Sequence, residues 1–272
     1  MQQCWICGAP ADSREHRLKK ADLVRAYGGG PFRGPKRPIH ISAGIQTEIQ
    51  GPRADRLKYE PALCQQCNNA RTQPFDFAYD TFMSWLENNE QRVLSRRQVN
   101  FRDVFGGDFE AAQRNLFKYF VKSFGCRLVD AGQLVPADLV DLLPKESFRT
   151  ALKITFCVHE DILAMPLEHR RGFIGKSDLI GYAGASTPSA WHSFTWSEHV
   201  SWFTVCYWYG VQPEGGMGPP WIANAQVVYL GSIESLSDEE RKQLTQSLIR
   251  NERTSELKDN CSNGQSDRAC GE

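Results

Sequence analysis

Two Cys-x-x-Cys pairs, Cys4/Cys7 and Cys64/Cys67, constrain this 272-residue chain more than any other feature. Two thiolates at that spacing span one edge of a tetrahedron. Two such pairs make the closed four-thiolate arrangement of a structural zinc ion. Residue 4 must then come to lie beside residue 64, whatever the 56 residues between Cys7 and Cys64 do. Gly8 stands where the chain has to turn tightly under the metal. The other cysteines, Cys126, Cys157, Cys206, Cys261 and Cys270, are scattered, and the total of nine is odd. That suits metal binding in a reducing compartment better than a disulfide framework. Cys126, Cys157 and Cys206 read as buried apolar filler.

Charge divides the chain. Residues 1–75 hold twelve Lys and Arg against six Asp and Glu, a balance of +6, and since the whole is neutral, residues 76–272 carry −6. A basic module on an acidic body is the asymmetry expected where the module meets phosphate; the plain alternative is a solvated basic face. No apolar run approaches the ~20 residues of a membrane span, and the N-terminus lacks the basic and apolar regions of a signal peptide. The expectation is a cytoplasmic protein with no membrane partner.

The pattern along the chain predicts an α+β protein. Residues 17–27 read as a short helix with Leu18, Leu23, Val24 and Tyr27 inward. The Gly/Pro-rich stretch 28–38 breaks regular structure and carries Arg33, Lys36 and Arg37. Residues 39–50 alternate as one strand, and Leu57–Leu63 would pair back after a turn at 51–55. Pro74 interrupts the element that bears the second cysteine pair, and a helical pattern follows over 75–98. Further helices are expected at 109–126, with Gly125 near the stop, and at 137–143. Five runs rich in β-branched and aromatic residues, at 151–158, 171–182, 193–196, 200–209 and 221–230, predict an antiparallel sheet. Ser237 and Glu240 have capping-box spacing at the start of a last helix. The tail from 254 has little to bury and reads as disordered. The expected units are a zinc-braced module over 1–75, a mixed helical and antiparallel-sheet domain over 76–253, and the tail 254–272.

Beyond the first cysteine pair lies Glu15-His16, and the second runs directly into Asn68-Asn69 and Arg71. A four-thiolate zinc needs none of these. This order, CxxC, an acidic residue with His, then CxxCN, resembles the HNH (ββα-metal, His-Me finger) endonucleases in their four-cysteine form, over roughly residues 1–75. The resemblance implies a strand pair followed by a helix, with His16 as the general base that activates water. It implies that Glu15 and Asn68 hold a catalytic divalent metal, Mg²⁺ or a similar ion, while Cys4, Cys7, Cys64 and Cys67 hold structural zinc. It puts Arg71 at the phosphate. The sequence departs from the family in three ways. Glu15 stands for the commoner Asp, Tyr59 lies near where a middle Asn is usual, and the insertion between base and second strand is long.

The chemistry agrees with that transfer. Imidazole near neutral pH can take a proton from attacking water, and a hard cation can neutralise charge on the phosphate and the leaving oxygen. The expected activity is metal-dependent hydrolysis of phosphodiester bonds in nucleic acid, DNA first. Arg33, Lys36, Arg37 and Arg71 would contact the backbone, and 76–253 is the place for a protein partner. The rival is a non-catalytic zinc-dependent nucleic-acid-binding or adaptor protein, which needs the cysteines but not Glu15, His16 or Asn68. Asn69 would replace Asn68 if the register slips by one. His40, His159, His169, His192 and His199 read as ordinary strand or loop histidines, and Glu198-His199 as a chance repeat of the dipeptide. The aromatic cluster Trp191, Trp196, Trp202, Phe203, Tyr207, Trp208 and Tyr209 reads as sheet core or a protein–protein surface before a base-stacking surface.

Overall fold

The computed structural model describes residues 2–32, 38–42, 45–147, 149–184 and 187–249. Arg33, Lys36, Arg37, Cys261, Cys270 and the tail from 254 lie outside the described residues. In chain order, helix α1 (Lys20–Tyr27) precedes strands β1 (Ile39–Ser42) and β2 (Ile45–Glu48). Helices α2 (Gln73–Asn88) and α3 (Glu90–Arg96), strand β3 (Gln98–Asn100) and helices α4 (Phe101–Phe105), α5 (Phe109–Asp130) and α6 (Ala137–Leu142) follow. Then come β4 (Leu152–His159), the short helices α7 (Glu160–Leu163) and α8 (Leu167–Arg170), β5 (Ile174–Lys176), β6 (Ile180–Gly184), β7 (Thr187–Val200) and β8 (Phe203–Tyr209). Strands β9 (Val227–Tyr229) and β10 (Gly231–Ile233) lead to a helix over 238–249.

Alternation along β4 fixes the position of the core. Leu152, Ile154, Phe156 and Val158 point to one face and join the main apolar cluster, whereas Cys157 points to the other with Cys206 and Trp208. β8 pairs antiparallel with β4 and repeats the pattern through Phe203, Val205 and Tyr207. Against this face lie α2 and α5. Phe82 and Phe120 are fully buried, with ring centroids 5.8 and 5.9 Å from Phe156. As expected, Cys126, Cys157 and Cys206 are buried, and most of the aromatic cluster is sheet core; Trp191 is the exposed exception.

The six-stranded sheet runs β10-β4-β8-β7-β5, with β6 also on β7. It departs from the expected antiparallel sheet at one edge, where β10 lies parallel to β4. The run 221–230 does not join it as a strand. Its β9 pairs instead with β3, and Trp221 reaches β4 through a single bridge to Ile154. The last helix starts as its capping box requires. Ser237 N–H donates to Glu240 Oε2 at 2.8 Å, and Glu240 N–H donates back to Ser237 Oγ at 3.4 Å.

Several expectations are corrected near the N-terminus. The stretch 39–50, expected as one strand, holds two, β1 and β2, paired antiparallel with Ile39 opposite Glu48. Residues 57–63 pair with the far earlier segment 12–17. Ser13 bridges Leu63, His16 bridges Lys58, and Tyr59 N–H donates to Glu15 O at 2.9 Å. Val24 is exposed, although Leu23 beside it is buried. α5 does not stop at Gly125. There the missing side chain makes room for Trp5, whose ring would lie 2.5 Å from a Cβ at that position. The first cysteine pair is therefore seated on α5. The expected boundary at residue 75 falls inside α2, and Cys4, Ile6, Leu63, Cys64 and Cys67 share the main apolar cluster with the sheet.

Candidate metal centre and the residues around it

The two cysteine pairs meet. Their four Sγ atoms lie within 4.8 Å of one another, with Cys7 and Cys64 Sγ 3.6 Å apart. A tetrahedron with Zn–S bonds of about 2.3 Å has edges of about 3.8 Å, so the four could hold a metal such as zinc. Among the described residues this is the one group of three or more His, Cys, Asp or Glu whose ligand atoms converge so closely. The first pair sits in a tight turn. Gly8 N–H donates to Cys4 O at 2.8 Å, Cys4 N–H donates to Ala9 O at 2.7 Å, and Gly8 takes φ +75°, which favours glycine. Cys4, Cys64 and Cys67 are buried and Cys7 is exposed. The Ala9 amide lowers the Cys7 thiol to about 7, against a smaller opposing effect of burial, whereas burial raises Cys4 and Cys67. Four crowded thiols do not ionise together unaided; a bound metal would drive off their protons.

The paired segment 12–17/57–63 runs on into a π-helical turn, Gln66–Arg71, wound wider than an α-helix. Thr72 Oγ1 donates to Cys67 O at 2.9 Å and lies 3.2 Å from Asn68 O, which satisfies carbonyls that the wide turn leaves over. Pro74 begins α2 just after it, where its missing N–H costs nothing. Asn68 is the residue turned inward, with Nδ2 donating to Ser13 Oγ at 2.9 Å, while Asn69 and Arg71 are exposed. The Asn68 Oδ1 atom is buried without a hydrogen-bond partner.

Glu15 and His16 point to different surroundings. His16 is half-buried, and its Nε2 is buried with no partner. Burial lowers its pKa against the pull of Glu15, and Lys58, Lys19 and Lys20 lower it further. The imidazole, lowered from its usual value, is mostly neutral near pH 7.

Glu15 is committed elsewhere. Its Oε1 accepts from the His16 amide at 2.9 Å and its Oε2 lies 2.6 Å from Lys122 Nζ on α5. Lys122 also reaches Asp76 Oδ2 at 3.1 Å, and Asp76 Oδ1 is 2.5 Å from Lys19 Nζ. Burial alone would lower the Lys122 pKa, but Glu15 and Asp76 outweigh it and raise it. Asn68 Oδ1 suits a cation, since it is a buried oxygen in want of a partner. Glu15 suits it less, because its charge is already met by Lys122, with which a metal would have to share the carboxylate.

Lys122 and Asp76 were not foreseen, yet one signal was present. Lys118 and Lys122 lie one turn apart on a helix otherwise apolar through Leu116, Phe117, Phe120, Val121 and Phe124. A lysine so placed must find an anion or lie along the surface.

No family model, no curated protein and no solved structure matches the chain. Among the described residues no helix is long and apolar enough to cross a membrane.

Proposed function

We propose that the chain is an endonuclease of HNH type, hydrolysing phosphodiester bonds of nucleic acid with DNA as the first candidate substrate. Zinc on Cys4, Cys7, Cys64 and Cys67 would brace the segment that carries the base. The observation behind this reading is His16, a neutral imidazole whose buried Nε2 lacks a partner, among Lys19, Lys20 and Lys58. An unpartnered buried nitrogen costs free energy, and such a cost is commonly kept where the atom serves a ligand. In the proposed step, His16 takes a proton from water as its oxygen bonds to phosphorus; the phosphorus–oxygen bond to the sugar breaks with its electron pair on the sugar oxygen, which takes a proton from solvent water. Lys58, Lys20 and Arg71 would hold the phosphate charge.

A second reading is a non-catalytic zinc-dependent nucleic-acid-binding or adaptor protein. It is favoured by the capture of Glu15 by Lys122. Nicking of supercoiled plasmid separates the two readings, with wild type beside His16→Ala, and with Mg²⁺, Mn²⁺ or EDTA. Zinc content is measured in each sample. The nuclease reading expects His16→Ala to shift DNA in a gel but to nick it about a hundredfold more slowly or worse, the scale of a lost general base. Equal nicking by both proteins removes His16 from the chemistry. Binding without nicking by either favours the second reading.

A further inference from the structure

The mismatch at Glu15 has a definite physical content. Glu15, Lys122, Asp76 and Lys19 form a chain of alternating charge, with contacts of 2.6, 3.1 and 2.5 Å. These four formal charges sum to zero; Asp80, 3.9 Å from Lys19 at the far end from Glu15, is 39% exposed and open to water. The Lys122 side chain is 2% exposed and that of Glu15 is 16% exposed, so water screens the group poorly. A dication added to this quartet would leave two positive charges uncompensated where desolvation is costly. A dication that displaced the ammonium would leave a buried lysine without an anion, which is costly too. The ammonium already bridges two carboxylates from different parts of the chain, as a bound cation would.

We propose that Lys122 occupies, as an internal ammonium, the place of a divalent cation at Glu15, and that the wild-type chain binds no divalent ion there. Removing that ammonium opens the site. Glu15 and Asp76 Oδ2 then face each other with no cation between them, Lys19 staying on Asp76 Oδ1, and a hard dication such as Mn²⁺ or Mg²⁺ becomes a fitting partner. The inference concerns binding and stands whether or not the chain is a nuclease. Where it rests on the proposed hydrolysis, it adds that cleavage proceeds without a metal on Glu15.

The test is a titration of full-length, zinc-loaded protein with Mn²⁺, reading the free aquo ion by electron paramagnetic resonance. Wild type, Glu15→Gln, Lys122→Met and the double variant Lys122→Met/Glu15→Gln are compared. Wild type and Glu15→Gln should leave the same fraction of Mn²⁺ free. Lys122→Met should bind one ion at least about tenfold more tightly, the scale on which neighbours of a metal site alter affinity, and the double variant should lose that ion. Mn²⁺ uptake by wild type that Glu15→Gln abolishes would overturn the proposal, as would a folded Lys122→Met no tighter than wild type. Should Lys122→Met fail to fold, the wild-type and Glu15→Gln titrations decide alone. Equal free Mn²⁺ supports the internal ammonium, and a difference overturns it. Nicking enters none of these readouts, so failure here and failure of the nuclease reading are distinguishable.

Discussion

The N-terminal segment and the sheet are held by different physics. Around the cysteines there is little regular structure. Single bridges at Ser13–Leu63 and His16–Lys58, a four-thiol cluster and ion pairs carry the geometry. In the sheet, long ladders and aromatic side chains packed edge-on or at a tilt do so, from Phe82 and Phe120 to Phe156, Tyr207 and Trp221. Each region buries a lysine–carboxylate pair, and the two pairs show the contrast. Lys176 and Glu198 face each other across β5 and β7, 3.0 Å apart, and the nearby Tyr207 hydroxyl donates to the same carboxylate. Strand register alone brings that pair together. Lys122 and Glu15 are 107 residues apart and meet only because the segment docks on α5. The first pair is a product of secondary structure, the second of tertiary structure.

The sharpest way to break this comparison is to remove the metal ligands. Cys64→Ser should abolish zinc binding, and structural zinc sites contribute on the order of 10 kcal/mol. Hydrogen exchange should then show loss of protection at 4–17 and 57–72, while β4 and β8 stay protected. Unchanged protection in the first segment, with the zinc gone, would show that the thiols do not hold it. Next in size is Phe120→Ala at the centre of the sheet's core. It should cost about 3–5 kcal/mol and lower the urea midpoint of the whole chain in one transition, because Cys4, Cys64 and Cys67 share that core. A separate transition for the N-terminal segment would instead show it to be an independent unit.

The smallest effect tests the body through acid. His199, stacked on Phe173, has its pKa lowered to about 4 by burial and by His159. An imidazole with a lowered folded pKa is protonated first in the unfolded chain, so falling pH favours unfolding. Stability should therefore be full above about pH 6.5 and decline towards pH 4, by up to about 3 kcal/mol from this group. The pKa of His159 is lowered as well, so His199→Gln should reduce the slope of urea midpoint against pH without abolishing it. An unchanged slope would place the acid sensitivity elsewhere.

What could be read in the sequence was local. The cysteine spacing, Gly8 and the Ser237/Glu240 box each act within a few residues, and each took its expected place. β4 and β8 were legible as runs of β-branched and aromatic residues, which suit strands buried on both faces. Partnership over distance was legible only where a shared metal would demand it, between the two cysteine pairs. Nothing near Leu57–Leu63 says that it pairs with 12–17 and not with 39–50, since an alternating strand suits either. Glu15 and Asn68 were legible as residues, but the state of Glu15 depends on Lys122, which local spacing does not reveal. Gly125 looked like a helix stop because the shape of Trp5 cannot be seen from its own neighbourhood.

The notch at Gly125 also bears on the order in which the chain can be finished. Trp5 is made early in synthesis, yet its seat exists only after residue 125 has been added and α5 has wound. The first cysteine pair must likewise wait for Cys64 and Cys67 before the four thiols can gather. The segment that carries it is thus among the later pieces to settle. A nascent chain that ends before residue 125 holds the four thiols but not the surface on which their cluster rests.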